Sequence, residues 1–175
     1  MGETGKACGI DISAGMLKVT RGRLIKAAIL DRVELCQGDA SKLPFKTSNF
    51  DAIFISFTLE LFDTPEISLV LKEVGRVLKP DGRLGVISLS KTQGNSLALK
   101  IYELAHRWWP EYVDCRPIYL ENIISKAGYT ILKKEKTTLV VLPLEIVVAI
   151  KNGNVYPHPT RGDENGSNRE SMAIS

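Results

Sequence analysis

Ala7-Cys-Gly-Ile-Asp-Ile-Ser13 reads as a short apolar strand that ends in a carboxylate and a helix cap. In open α/β sheets ligands bind outside the carboxyl ends of the strands, so Asp11 is placed to touch one. In nucleoside-binding folds an acid of this kind follows a glycine-rich turn by about 20 residues and accepts hydrogen bonds from ribose hydroxyls. Here only ten residues precede Asp11, and such a turn would lie upstream of Met1. The chain thus carries a ribose-type acid without the glycine loop that normally accompanies it.

Working outward, Ser13 caps a helix expected over Ala14 to Ile29, with Met16, Leu17, Leu24, Ala27 and Ala28 at helical spacing. Lys18, Arg21 and Lys26 lie off that stripe and read as a solvated face. Val33-Glu-Leu-Cys-Gln37 is a second strand, and Gly38-Asp39-Ala40 again sets a carboxylate at a strand's carboxyl end. Ser41 to Asn49, with Pro44, is a loop. Asp51 to Phe57 is a nearly all-apolar third strand, as a parallel strand covered on both faces requires.

Thr64-Pro65-Glu66 starts a helix whose buried stripe is Ile67, Val70, Leu71, Val74, Val77 and Leu78. Lys79-Pro-Asp-Gly82 stops it and turns the chain into a strand over Arg83 to Leu89. A further helix begins near Asn95 and breaks at Trp108-Trp109-Pro110, and another runs from Tyr119 to Ala127 before Gly128. Tyr129 to Lys136 and Leu139 to Ile150 are β-rich, and little separates them, so they predict an antiparallel pair at the sheet edge. Residues 1–151 therefore form one domain. Residues 152–175, rich in Gly, Asn, Pro, Ser and charge, read as a disordered tail.

Composition narrows the function classes. At 175 residues with 44% hydrophobic and 25% charged side chains, the chain reads as one soluble domain with a sizeable core. A net charge of +3 with no basic block argues against a nucleic-acid partner. Cys8, Cys36 and Cys115 lack metal-ligand spacing, with each other or with His106 and His158, so no metal site is expected. No apolar run is long enough to span a bilayer and the polar amino terminus is unlike a signal peptide, so the expected location is the cytoplasm.

Strands alternating with helices over Ala7 to Ser90 predict an α/β, doubly wound, mostly parallel sheet with helices on both faces. Asp11, Asp39 and Ser56-Phe57-Thr58 then line up along one edge. Two carboxylates on neighbouring strand ends suit a nucleoside, one for ribose hydroxyls and one for an exocyclic amine, with Met16 and Leu43 adding apolar surface beside a purine. Two helix or turn caps would use the same residues.

Gly9-Ile-Asp-Ile-Ser13 with Gly15-Met-Leu17, Gly38-Asp-Ala40 with Leu43-Pro-Phe45, Asn49-Phe-Asp51, and Arg76-Val-Leu-Lys-Pro-Asp-Gly-Arg-Leu84 follow one order. That order resembles class I S-adenosylmethionine-dependent methyltransferases, in particular the quinone-biosynthesis branch, over Ala7 to Ile150. The resemblance implies a Rossmann-like fold, truncated at its amino terminus relative to the family, and S-adenosylmethionine as cofactor. It implies that Asp11, with Ile12 and Met16 beside it, binds the cofactor's ribose side. Asp39 and Ala40 would hold the adenine, and Ser56 and Phe57 would lie near the methionine part. Glu60, just past the third strand, and His106 are the candidate catalytic bases, each also readable as an ordinary helix-start acid or packed histidine. Trp108, Trp109, Tyr112 and Tyr119 fall where this family builds its acceptor pocket, and an apolar small molecule is the expected acceptor.

The family's first strand and GxGxG loop are absent, and by the resemblance that strand is central, between those of Asp11 and Asp51. Three solutions follow, in order of expectation: the chain is a fragment of a longer reading frame, the sheet closes differently, or a partner, including a second copy in a homodimer, supplies the strand. A non-catalytic remnant or regulatory subunit of the same fold is the alternative function, and a nicotinamide-binding dehydrogenase half is a third.

Overall fold

The computed structural model describes residues 4–90, 118–139, 142–152 and 170–174. In chain order these form β1 (Lys6–Asp11), α1 (Ala14–Lys26), β2 (Val33–Gln37), β3 (Phe50–Ser56), α2 (Thr64–Val77), β4 (Leu78–Leu89), α3 (Leu120–Lys126), β5 (Tyr129–Leu139), β6 (Leu142–Lys151) and β7 (Glu170–Ile174). One seven-stranded sheet holds all the strands in the order β2-β1-β7-β3-β4-β6-β5. The β1–β2, β1–β7, β3–β7 and β3–β4 pairs are parallel, and β6 is antiparallel to both β4 and β5.

The two crossovers step outward in opposite directions, β1 to β2 one way and β3 to β4 the other. Right-handed connection therefore sets α1 and α2 on opposite faces. The α2 face is the core: Cys8, Ile10, Met172, Ile174, Ile53, Ile55, Leu84 and Val86 meet Ile67, Val70, Leu71 and Val74 of α2, all buried. Tyr129 extends this core to the edge pair, its hydroxyl donating to Leu71 O at 2.9 Å beside Gly75. On the other face Phe54 is 46% exposed, and no residue of α1 is buried.

Several boundaries shift from expectation for local reasons. Helix α1 stops at Lys26 because Ala28 takes a left-handed φ of 54°. Leu17 and Leu24 of its expected stripe are half-buried, whereas Met16, Ala27 and Ala28 face solvent. Helix α2 is capped by Asp63, one residue before the expected Thr64. Asp63 and Glu66 form a reciprocal capping box, with Asp63 N–H donating to Glu66 Oε2 at 3.2 Å. Lys79-Pro-Asp-Gly82 is a bulge within β4, between the Phe50–Leu78 and Ala52–Arg83 pairs. The edge strand β5 exposes Lys133, Lys134 and Lys136, charges that discourage pairing with another sheet.

The tail is the main correction. Its last described segment, Glu170–Ile174, is a strand at the centre of the sheet, not disordered chain. Met172 and Ile174 are buried on the core face, while Ala173 between them faces out. A window averaged over residues 152–175 hides this two-residue period in a polar background, and only the two flanking ladders give so short a strand its partners. Of the three expected ways to close the sheet, a different closure within the chain is the one seen.

Because Met172 packs in this core at 2% exposure, Met172→Ala is expected to cost about 2–5 kcal/mol. Ala173→Ser, one position away on the open face, is expected to cost under about 0.5 kcal/mol. Urea midpoints for the two variants check this, and equal midpoints would remove β7 from the core.

Candidate functional site

Parallel pairing brings the carboxyl ends of β2, β1, β7, β3 and β4 to one edge of the sheet. Asp11 is the last residue of β1, opposite Gln37. Its Oδ1 accepts the Ser13 N–H at 2.7 Å, and Ser13 Oγ in turn accepts the Met16 N–H at 3.3 Å, so the acid and the helix cap are one turn. Gln37 Nε2 donates to Ile12 O at 3.0 Å and Gly38 N–H to Asp11 O at 3.1 Å, which locks the two strand ends together. A Cβ at Gly38 would stand 2.9 Å from Ile10 Cδ1, so a larger residue there would have to displace the end of the buried Ile10 side chain.

Asp39 follows, exposed, with Oδ1 accepting the Ser41 N–H at 2.8 Å. The Ser41 backbone and hydroxyl hold its carboxyl below the ordinary value. Ala40 is buried next to it. The loop beyond is tied to α2 by Arg76, which donates to Phe45 O at 2.7 Å, Leu43 O at 2.9 Å and Glu73 Oε2 at 2.7 Å. Glu73 Oε2 also accepts the Leu43 N–H at 3.1 Å. Leu43 is thereby drawn into the core at 4% exposure, so it does not line an open purine surface as expected.

At the end of β3 the half-buried Ser56 pairs with Ile87. Phe57 then takes a φ of 51°, a costly conformation for a bulky side chain and one concentrated at functional sites. Its N–H donates to Ile87 O at 3.0 Å, and Thr58 Oγ1 lies 2.9 Å from Ser56 O and 3.3 Å from Ile174 O. Glu60 is 2% exposed. Its Oε1 accepts the Leu89 N–H at 2.9 Å, while Oε2 has no hydrogen-bond partner among the described residues. Burial pushes its carboxyl up from the ordinary value, and the Leu89 N–H offsets part of that.

The buried polar residues among the described ones are Thr58, Glu60, Ser88, Ser90 and Glu145. All lie at the carboxyl ends of β3 and β4 or opposite them, since Ser88 pairs with Glu145 of β6. Burying polar groups is costly in a plain core, so this concentration makes the edge the candidate site. Ser88, Ser90 and Glu145 were not foreseen. The signal was there in the inward positions of β4, where Leu84 and Val86 give way to Ser88 and Ser90.

The structure thus brings Asp11, Ile12, Asp39, Ala40, Ser56, Phe57 and Glu60 to one edge. Ile12 and Met16 stand there 72% and 51% exposed. His106, Trp108, Trp109 and Tyr112 lie outside the described residues. Among the described residues no cluster of three His, Cys, Asp or Glu could hold a metal ion, and no helix is long and apolar enough to cross a membrane.

Residues 1–113, which include every residue of this edge up to Ser90, match the model of the ubiE/COQ5 methyltransferase family. The chain belongs to that family. It is 42% identical over 103 residues to the ubiquinone/menaquinone biosynthesis C-methyltransferase of Ectopseudomonas mendocina, covering 59% of this chain and 39% of the relative. It is 32% identical over 136 residues to the demethylmenaquinone methyltransferase of Lactococcus lactis, covering 78% and 47%. The chain therefore spans less than half the length of these curated relatives. Among solved structures, YcgJ of Bacillus subtilis superposes with a TM-score of 0.66 at 18% identity, covering 85% of this chain and 83% of that one. A SAM-dependent methyltransferase of Aquifex aeolicus gives 0.63 at 22%, covering 86% and 71%. These likenesses establish the Rossmann-like methyltransferase fold.

The Arg76–Glu73 tie is expected to matter for the loop that carries Asp39. Arg76→Ala should cost about 1–3 kcal/mol, since its bonds are charge-assisted yet partly solvated. Arg76 holds the Glu73 carboxyl below the ordinary value of 4.5. Glu73's contribution is therefore present above that value and is lost as pH falls through its lower folded value. Unfolding midpoints from pH 7 down to pH 3 should show the difference between parent and Arg76→Ala shrinking; a constant difference contradicts the tie.

Proposed function

We propose that this chain carries the adenosine side of an S-adenosylmethionine site and serves C-methylation of a small quinone-type acceptor. The observation behind this reading is the pair of carboxylates, Asp11 and Asp39, on adjacent parallel strand ends within the family match. Bound there, the cofactor would supply an electrophilic methyl group. Asp11, half-buried with its carboxylate oriented by the Ser13 N–H, is suited to accept hydrogen bonds from a ribose diol. Asp39, ionised and exposed, is suited to an exocyclic amine, with Ala40 beneath the ring. Ile12 and Met16 offer apolar surface beside the nucleoside, and Ser56 and Phe57 face the methionine side.

An aromatic carbon that gains a methyl group must release a proton. Glu60 is one of two buried carboxyls at this edge, with Glu145; one of its oxygens is held by Leu89, and the other has no hydrogen-bond partner among the described residues. A carboxyl raised by burial is a stronger base once ionised. The names of the relatives support a quinone-type acceptor, and Cys8 and Cys36, which form no disulfide, suit a cytoplasmic setting.

Calorimetric titration of S-adenosylmethionine into the folded chain is expected to give micromolar binding, weakened at least about tenfold in Asp11→Ala. Absence of heat from a folded chain overturns this reading.

Glu60→Gln is expected to keep cofactor affinity within about threefold while slowing methyl transfer about 10²–10⁴-fold. The neutral form of a carboxyl with a raised folded pKa is fully favourable below 4.5, and that advantage is lost as pH rises through the folded value. The Gln variant should accordingly gain thermal stability over the parent at pH 7 and not at pH 4. An unchanged rate and an unchanged pH profile would leave Glu60 a packing residue.

A further inference from the structure

No residue of α1 is buried, whereas α2 buries five. The half-buried Leu17, Thr20 and Leu24, at i, i+3 and i+7, form the inner stripe of α1. On its outer side Met16, Val19, Arg23 and Lys26 repeat at i, i+3, i+7 and i+10, with Lys18 and Ile25 alongside, and all six are exposed. Five of the ten large apolar side chains exposed among the described residues lie in this one segment: Ile12, Met16, Val19, Ile25 and Ile29. Apolar surface gathered in one place marks a contact surface.

The charge on the same surface is of one sign. From Ile12 to Leu30 the chain carries Lys18, Arg21, Arg23 and Lys26 and no acid. The flanking acids stand outside the helix, Asp11 before its cap and Asp31 past its last turn. Several cations elsewhere are engaged: Arg76 with Glu73, Lys79 with Asp51, Lys134 with Glu121 and Lys151 with Gly75 O. Among the described residues the four cations of α1 make no side-chain hydrogen bond or ion pair.

We propose that the outer surface of α1 docks on an anionic phospholipid bilayer. Interleaved basic and apolar side chains suit that partner. Ammonium and guanidinium groups stay among the headgroups, while Val19, Ile25 and the alkyl stems of the lysines enter the interface. A nucleic acid would engage the cations through its phosphates and leave Val19 and Ile25 in water. Ile12, 72% exposed, carries the surface on to the edge of the candidate site, so a bilayer held here lies beside that edge. Docking by α1 is independent of S-adenosylmethionine binding, which calorimetry reads separately.

The test is co-sedimentation of the full chain with vesicles of phosphatidylcholine containing about one-third phosphatidylserine, a surface to which each basic residue adds about fivefold in affinity. Binding is expected at low ionic strength, is expected to weaken at least about tenfold in 0.5 M salt, and is expected to be lost on pure phosphatidylcholine. Lys18→Gln with Lys26→Gln is expected to weaken it about 25-fold, and the matched pair Lys133→Gln with Lys136→Gln on β5 less than about threefold. Val19→Ser with Ile25→Ser is expected to weaken it about tenfold. Circular dichroism verifies that each variant is folded, and all six substituted side chains are exposed. Absence of binding by the folded parent chain overturns the proposal, as do equal losses in the two lysine pairs. Undiminished binding by the folded Val19/Ile25 variant, or a preference for a duplex oligonucleotide over the vesicles, overturns the bilayer as partner.

Discussion

A parallel strand inside a sheet must be paired on both sides, since its backbone donors and acceptors are shut away from water. Each buried group left unpaired costs about 1–3 kcal/mol, against a total domain stability of roughly 5–15 kcal/mol. Strands β1 and β3 both end at the edge that carries the candidate site, and neither pairs directly with the other. A strand between them is therefore a condition of having the edge at all. The chain meets it with five residues from the far end of its own sequence. Everything described at the site, from the position of Asp11 to that of Ser56, presupposes that insertion.

The edge is built by short-range devices on this long-range frame. Asp11, Ser13 and Met16 make a single hydrogen-bonded turn, and Gln37 and Gly38 fasten the neighbouring strand end to it. Arg76 and Glu73 reach from α2 to hold the backbone of Leu43 and Phe45, which fixes the loop after Asp39 without placing a charge in the core. On the β3 side, a left-handed Phe57 and a half-satisfied Glu60 are features that packing alone would not select. The family match spans these features, and the curated relatives extend well beyond the matched span.

Strand β2, the stripe of α2 and the antiparallel edge pair were legible in the sequence because each carries its own period over several residues. So were Asp11 and Asp39, whose position after a strand is a local property. The start of α2 was misread by one residue because Asp63 and Thr64 both suit a cap, and the capping box with Glu66 decides between them. Leu43 was assigned to an open surface because nothing in its neighbourhood announces that Arg76, 33 residues on, would pull its carbonyl inward. Strand β7 escaped for the same reason on a larger scale: Met172 and Ile174 are too few to show a pattern, and their partners lie at the start of the chain. Ser88 and Ser90 break the apolar alternation of β4, and that break was visible without a structure.

The place of β7 also sets the order in which the protein can assemble. The Ser171–Lys6 contact joins positions 165 residues apart, and Thr58 meets Ile174 across 116. Contacts of such separation make folding slow, since the entropy of closing the loop is spent before pairing rewards it. During synthesis, β1 leaves the ribosome well before β7, its central partner. Until β7 arrives the two blocks of the sheet present facing unpaired edges, the kind of surface that invites aggregation. Closure of the sheet thus waits on the most distant segment of the sequence that the sheet contains.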